Sequence, residues 1–164
     1  MVRPSMINSE RIDQILTEAA NKRTLVLGDM VVDEHIIGAA RHIAREAPIP
    51  VIDQQARITV PGGATNVAAN LRSLGCDVSV AGVVGADAPA DRLRQELETL
   101  GVSTLGLVTE PNRATAVKLR IWAGGDRQRP QSMVARVDHV DCRQFSSSTT
   151  QKLSQYLEEA VPQH

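Results

Sequence analysis

Aromatic residues are nearly absent: one Trp, one Tyr and one Phe make up 2% of 164 residues. An aromatic core is excluded, so the 42% of apolar residues must pack as aliphatic side chains. Cysteine is equally scarce. Cys76 and Cys142 lie far apart without metal-type spacing and read as inert packing residues in a reducing cytoplasm. No apolar segment reaches targeting or membrane-spanning length. Charge of one sign is missing too: a formal net charge of −1 argues against a dedicated nucleic-acid or membrane surface. There is no internal repeat or low-complexity tract, and the length suits about one domain. The four histidines, His35, His42, His139 and His164, lack a paired serine or cysteine motif, so no catalytic triad is visible. His35 and His42 flank the expected cleft and read as surface or packing residues.

What is present centres on residues 61–85, PGGATNVAANLRSLGCDVSVAGVVG. Gly62 and Gly63 are adjacent, Asn66 follows, and Val67, Asn70, Leu71 and Leu74 form one face of a short helix that Gly75 ends. Val78, Val80 and Val83 then read as a buried strand. A glycine pair lets backbone approach a ligand closely, and a helix start leaves N–H groups free for a polar or anionic small molecule. The alternative is a plain strand-to-helix turn.

From the N-terminus, Asn8 or Ser9 caps a helix with Ile12, Ile15, Leu16 and Ala19 on one side. Thr24-Leu25-Val26-Leu27-Gly28 reads as a buried parallel-sheet strand. Asp29 and Asp33 follow it, where open α/β sheets bind ligands; the alternative is one loop cap and one solvated acid. Pro48 and Pro50 exclude a helix interior, and residues 51–53 and 57–60 read as half-exposed edge strands. Thr115, Val117, Leu119 and Ile121 alternate with Ala116, Lys118, Arg120 and Trp122, and residues 132–137 are placed to pair with them across residues 124–131. These pieces form a small β layer apart from the α/β core. Asp87 caps a helix with Pro89 in its first turn and Leu93, Leu97 and Leu100 on its buried stripe. Residues 102–108 supply a strand, and a helix over about 148–160 buries Leu153, Tyr156, Leu157 and Ala160. No strand follows that helix, so the fold reads as unfinished.

Gly62, Gly63, Asn66, Gly75 and Gly85 together resemble the first signature of the ribokinase-like, or PfkB, sugar kinases. Leu27-Gly28-Asp29 with Asp33 is similar to the family's first strand and sugar-binding aspartate. Residues 28–33, 46–51 and 115–120 further resemble the heptose 7-phosphate kinase branch, often the N-terminal half of a bifunctional enzyme making ADP-heptose for lipopolysaccharide. The resemblance covers about residues 22–160. It implies an α/β fold: the N-terminal half of a ribokinase-like three-layer core, a parallel sheet with flanking helices, plus a β-sheet lid at about 42–60 and 115–137. Asp33 would hydrogen-bond sugar hydroxyls, Gly62, Gly63 and Asn66 would close around the sugar, and Asp29 would support them. Lys118 and Arg120 become candidate phosphate contacts; a solvated strand face is their alternative. The implied partners are a sugar or sugar-phosphate and either a second copy, joined through the lid, or a complementary C-terminal half.

Two departures matter. Ala44-Arg45 stands where the heptose branch usually has Ser-Pro. The family's second signature, Gly-Ala-Gly-Asp, whose aspartate is the general base, does not occur. ATP and Mg2+ are the family's cofactors, and ATP binds mainly through the half carrying that motif. Without it the chain alone is expected to be catalytically silent. A non-catalytic sugar-phosphate binding module and an assembly role for the lid strands are the other readings. A dinucleotide fold is disfavoured, because the third glycine of that motif is missing.

Overall fold

The run at residues 24–27 becomes β1 (Arg23–Leu27) of a three-stranded, all-parallel sheet. It pairs with β4 (Asp77–Gly85), which pairs in turn with β5 (Ser103–Glu110), giving the order β1-β4-β5. The computed structural model describes residues 8–20, 22–124 and 131–164. Parallel strands need crossover connections, and helices supply them here. α2 (Ala64–Ser73) leads into β4, and α3 (Ala88–Thr99) joins β4 to β5. Both sheet faces are covered. Leu107 of β5 joins the buried cluster with Ala68 of α2 and with Leu93 and Leu97 of α3. Its neighbour Gly106 faces the other way, against the Tyr156 ring of α4 (Ser147–Ala160). The core cluster is aliphatic, as the scarcity of aromatics requires.

A second sheet rises from the first. Gly28 and Asp29 separate β1 from β2 (Met30–Ile43), and β3 (Pro50–Gly63) returns antiparallel beside it straight into α2. β6 (Ala116–Ala123) joins β2 in parallel, and β7 (Ser132–His139) closes the order β3-β2-β6-β7. Met30 and Val32 lie in the core cluster with Val117 packed on it, so the base of this sheet belongs to the core. Alternate residues of a strand face opposite sides. Val32 and Glu34 therefore face one side of β2, and Asp33 and His35 the other. The connection expected between β6 and β7 lies largely outside the described residues.

Several sequence expectations shift in detail. Asp33 does not stand at the end of a core strand but inside β2, because the chain re-enters extended structure immediately after Asp29. In α2 the buried residues are Thr65 and Ala68, with Leu71 half-buried, whereas Val67 and Leu74 are exposed. The buried stripe is displaced because the Thr65 hydroxyl is satisfied inside, donating to the carbonyls of Gly62 (2.6 Å) and Val31 (3.3 Å). Leu100 is the exposed C-cap of α3. α1 (Ser9–Ala19) has the expected cap, with Asn8 Oδ1 accepting from Arg11 N, yet none of its residues is buried.

Candidate functional site at the base of the second sheet

β2 and β6 run in parallel with Asp33 opposite Lys118 and His35 opposite Arg120. Paired residues share a sheet face, so Asp33, Lys118 and Arg120 project on the same side. From there Arg120 reaches back along the strands and sets Nη1 2.6 Å from Oδ1 of Asp33. That approach is a charge contact outside hydrogen-bond geometry, and both atoms are buried with no hydrogen-bond partner. The two side chains are half-buried, about a fifth exposed, and the carboxylate's other oxygen and the guanidinium's other N–H groups suit a ligand that supplies both donors and acceptors.

Gly62 lies behind the carboxylate. A Cβ at this position would come within 2.7 Å of Asp33 Cγ and 2.9 Å of each oxygen, so glycine leaves the space the carboxylate occupies. Gly63 holds φ +55°, a conformation that disfavours side chains, and turns the chain from β3 into α2. A Cβ there would sit 2.7 Å from the Asp29 carbonyl, which accepts from Ala64 N at 3.1 Å. Asp29 thus ties the helix start to the end of β1 through its backbone, while its side chain is exposed. Asn66 is exposed on the first turn of α2, where Asn70 Nδ2 donates to its carbonyl at 2.9 Å and to Oδ1 at 3.4 Å.

Beside these residues a cleft of about 490 Å³ opens over the ends of β1 and β4, lined among others by Gly28, Asp29, Gly82, Arg113, Lys118 and Phe145. The structure brings Asp33, Gly62 and Arg120 into direct proximity, puts Asp29 and Lys118 on the cleft, and holds Gly63 and Asn66 at the neighbouring helix start.

Three further groups had no role in the sequence reading. Glu34, on the opposite face from Asp33, is buried and meets Arg57 of β3 at 2.5 Å and Arg92 of α3 at 2.8 Å. An acid inside the run VVDEHII was the available signal. Arg113 donates to the carbonyls of Asp141 and Arg143 and sits 4.7 Å over the Phe145 ring. Arg143 in turn holds Asp141 well below the usual carboxylate range through its side-chain hydrogen bonds. These residues occupy irregular segments, where no periodicity marks them. Trp122 donates to His35 across β6 and β2.

A family model described as "pfkB family carbohydrate kinase" matches residues 22–160. The chain belongs to the pfkB family of carbohydrate kinases. Two relatives named "Bifunctional protein HldE" are similar to it. The protein from Desulfatibacillum aliphaticivorans is 37% identical over 86% of this chain and 28% of its own length. That from Hyphomonas neptunium is 34% identical over 94% of this chain and 30% of its own length. The chain therefore spans under a third of the relatives it matches. Among solved structures, phosphofructokinase-2 from Escherichia coli, in complex with substrates and products, superposes with a TM-score of 0.59 at 19% identity, covering 84% of this chain and 40% of that one. A carbohydrate kinase from Agrobacterium tumefaciens gives a TM-score of 0.57 at 23% identity, over 72% of this chain and 35% of that one. Arabidopsis thaliana ribokinase, complexed with ribose and ATP, gives 0.51 at 19% identity, over 69% and 35%. The pfkB chain described here has the α/β fold of ribokinase-like sugar kinases, with its parallel sheet, flanking helices and second sheet.

Proposed function

We propose that this pfkB-family chain is the sugar-binding portion of an ATP-dependent sugar-phosphate kinase, with heptose 7-phosphate as its ligand, acting in ADP-heptose and lipopolysaccharide precursor synthesis in the cytoplasm. The observation that carries this reading is the Asp33–Arg120 pair. Oδ1 and Nη1 engage each other, while the two side chains keep about a fifth of their surface exposed (19% and 22%), through which the carboxylate can accept from sugar hydroxyls and the guanidinium can donate to an anionic substituent. Gly62 and Gly63 keep backbone close to the carboxylate, Asn66 closes the helix side, and Asp29 supports the turn. Lys118 adds a second cation at the cleft. The similarity to bifunctional HldE proteins favours the heptose ligand.

Phosphoryl transfer depends on positioning and charge stabilisation around the transferred group. ATP would be held mainly by a complementary segment, which would also supply the general base. Among the described residues no group of three acidic, histidine or cysteine side chains is gathered to hold a metal ion, and Mg2+ would come with the ATP phosphates. The chain alone is proposed to bind its sugar phosphate without turning over ATP. Assembly through the second sheet, as a homodimer or with a complementary half, is supported by β7, an edge strand whose eight residues are all exposed.

A thermal-shift titration with heptose 7-phosphate, fructose 6-phosphate, ribose and ATP tests the reading, because ligands that bind the folded form raise Tm by mass action. The expected result is a shift with heptose 7-phosphate that disappears in Asp33→Ala, and none with ATP. A shift with ATP alone, or none with any sugar phosphate, would defeat it.

A further inference from the structure

The single tryptophan of the chain lies on the same sheet face as the Asp33–Arg120 pair. Lys118, Arg120 and Trp122 alternate along β6, and Asp33 and His35 along β2, with the parallel register unbroken from Val31 to Gly38. Trp122 Nε1–H donates to His35 Nδ1 at 2.9 Å, and the ring planes are inclined by only 6° with centroids 5.9 Å apart. An N···N contact of 2.9 Å is shorter than the roughly 3.5 Å between stacked carbon rings, so the two rings meet edge to edge. The result is one continuous flat surface. Its single indole donor is satisfied within the plane, and both residues are only half-buried.

We propose that the coplanar His35–Trp122 pair is a stacking platform for the carbon–hydrogen face of the sugar whose hydroxyls engage Asp33. His35 is two residues beyond Asp33 on the same face of β2, which places the platform next to the carboxylate along the strand. A sugar ring offers hydroxyl groups at its rim and flat C–H patches on its faces. The rim suits a carboxylate and a guanidinium, and the C–H patches, being slightly positive, suit the negative face of an aromatic ring. Apolar and aromatic lining with a few placed polar groups is the usual composition of a small-molecule site. In a chain with 2% aromatic residues, two rings joined edge to edge beside the Asp33–Arg120 ion pair form a built surface, with the Arg136–Asp138 pair of β7 (3.0 Å) farther across the same face. The platform makes the ligand class narrower than an anion: it is a sugar phosphate with an exposed C–H face, and inorganic phosphate would engage the cations but not the rings.

This inference rests on the proposed sugar site, and one experiment separates the two. Because Trp122 is the only tryptophan, emission excited selectively at tryptophan, where Tyr156 does not absorb, reports on the platform alone. Titration with heptose 7-phosphate is expected to change that emission saturably, with the midpoint found by thermal shift, and titration with inorganic phosphate is expected to leave it unchanged. Trp122→Leu should weaken heptose 7-phosphate binding about three- to tenfold, and Trp122→Phe should restore most of it. Neither should alter inorganic phosphate binding, which a general structural defect would move as well. A thermal shift that requires Asp33 but comes with unchanged emission overturns the platform and leaves the sugar site standing. Absence of any thermal shift with heptose 7-phosphate overturns the sugar site itself, and the platform with it. Should Trp122→Leu fail to fold, the emission titration of the unaltered chain still decides.

Discussion

Glu34 of β2 and Arg92 of α3 meet at 2.8 Å, so a carboxylate with a side chain only 4% exposed ties the second sheet to a core helix. Arg57 of β3 completes the arrangement from the other side at 2.5 Å. The two arginines remain about half exposed, so water can solvate them if the acid is removed; Glu34 has no such outlet. The energetic consequence is asymmetric. Replacing Glu34 by Met should cost less than the double replacement Arg57→Met with Arg92→Met, which strands a buried charge and should cost about 3–5 kcal/mol. Urea unfolding of both variants compares them directly. Equal losses, or a larger one for Glu34→Met, would show that the acid is not what the arrangement serves.

Asp33 and Gly62 make a second pair of tests, because they should fail in the same way for different reasons. Asp33→Ala removes charged hydrogen bonds to the ligand and should weaken sugar-phosphate binding about 10- to 100-fold. Gly62→Ala keeps the carboxylate but places a methyl within 2.7 Å of its Cγ, which must then turn away. Similar losses of the ligand-dependent Tm shift are expected for the two variants. Full binding by Gly62→Ala would mean that the carboxylate position seen here is not the one the ligand uses.

The elements that announced themselves are those whose local chemistry and tertiary role agree. β1 and β6 form where the apolar run and the period of two place them, and Asp87 caps the helix it precedes. β1, however, is an edge strand with no buried residue, Leu27 being 56% exposed, and seven of the eight β6 residues are half-buried. The expected burial of β1 and the expected buried and polar faces of β6 therefore do not appear. β2 was harder to read, since Ile36 and Ile37 are consecutive and register shifts follow after Ile37 and Ala40. Its second face is also only partly covered, which blurs the period of two. The Arg120–Asp33 contact joins strands far apart in the chain, and it exists only because β2 and β6 pair in one particular parallel register. Lys118 and Arg120 looked alike as cations on an exposed strand face; the register sets Lys118 opposite Asp33, and only the side-chain placement shows that Arg120 is the one that reaches it. In α2, apolar spacing pointed to Val67 and Leu74, and an internally satisfied threonine took the buried position instead.

Gly63 should tolerate no side chain. Its φ of +55° is costly for any other residue, and a Cβ would press on the Asp29 carbonyl that anchors the start of α2. Backbone strain of this kind costs about 1–3 kcal/mol. Gly63→Ala is therefore expected to lower stability by that amount in chemical unfolding, and to weaken ligand binding through displacement of α2. The neighbouring substitution Gly62→Ala should spare stability more than binding. If both variants lost stability alone, the glycine pair would be a turn device with no part in recognition.

Asp87 links acid sensitivity to the junction of the two sheets. One carboxylate oxygen accepts from Ala90 N (3.1 Å) and Thr115 Oγ1 (2.6 Å), the other from Thr115 N (2.8 Å), while Thr115 Oγ1 accepts from Gly85 N (2.8 Å). Partial burial pushes the carboxyl up, but the hydrogen bonds from Thr115 and Ala90 together outweigh it and leave it below its ordinary value of 3.8. A group depressed in the folded state stabilises fully above its unfolded value and loses that contribution as pH falls through the folded one. Asp87→Ala should therefore cost about 1–2 kcal/mol at neutral pH, through the lost helix cap and the freed Thr115 groups. The difference in Tm between the variant and the unaltered chain should hold from pH 7 to about 5 and narrow below pH 4. Melting curves recorded across that range check the sign. A gap that widened on acidification would mean that Asp87 is bound in its protonated form and that the hydrogen-bond assignment at Thr115 runs the other way.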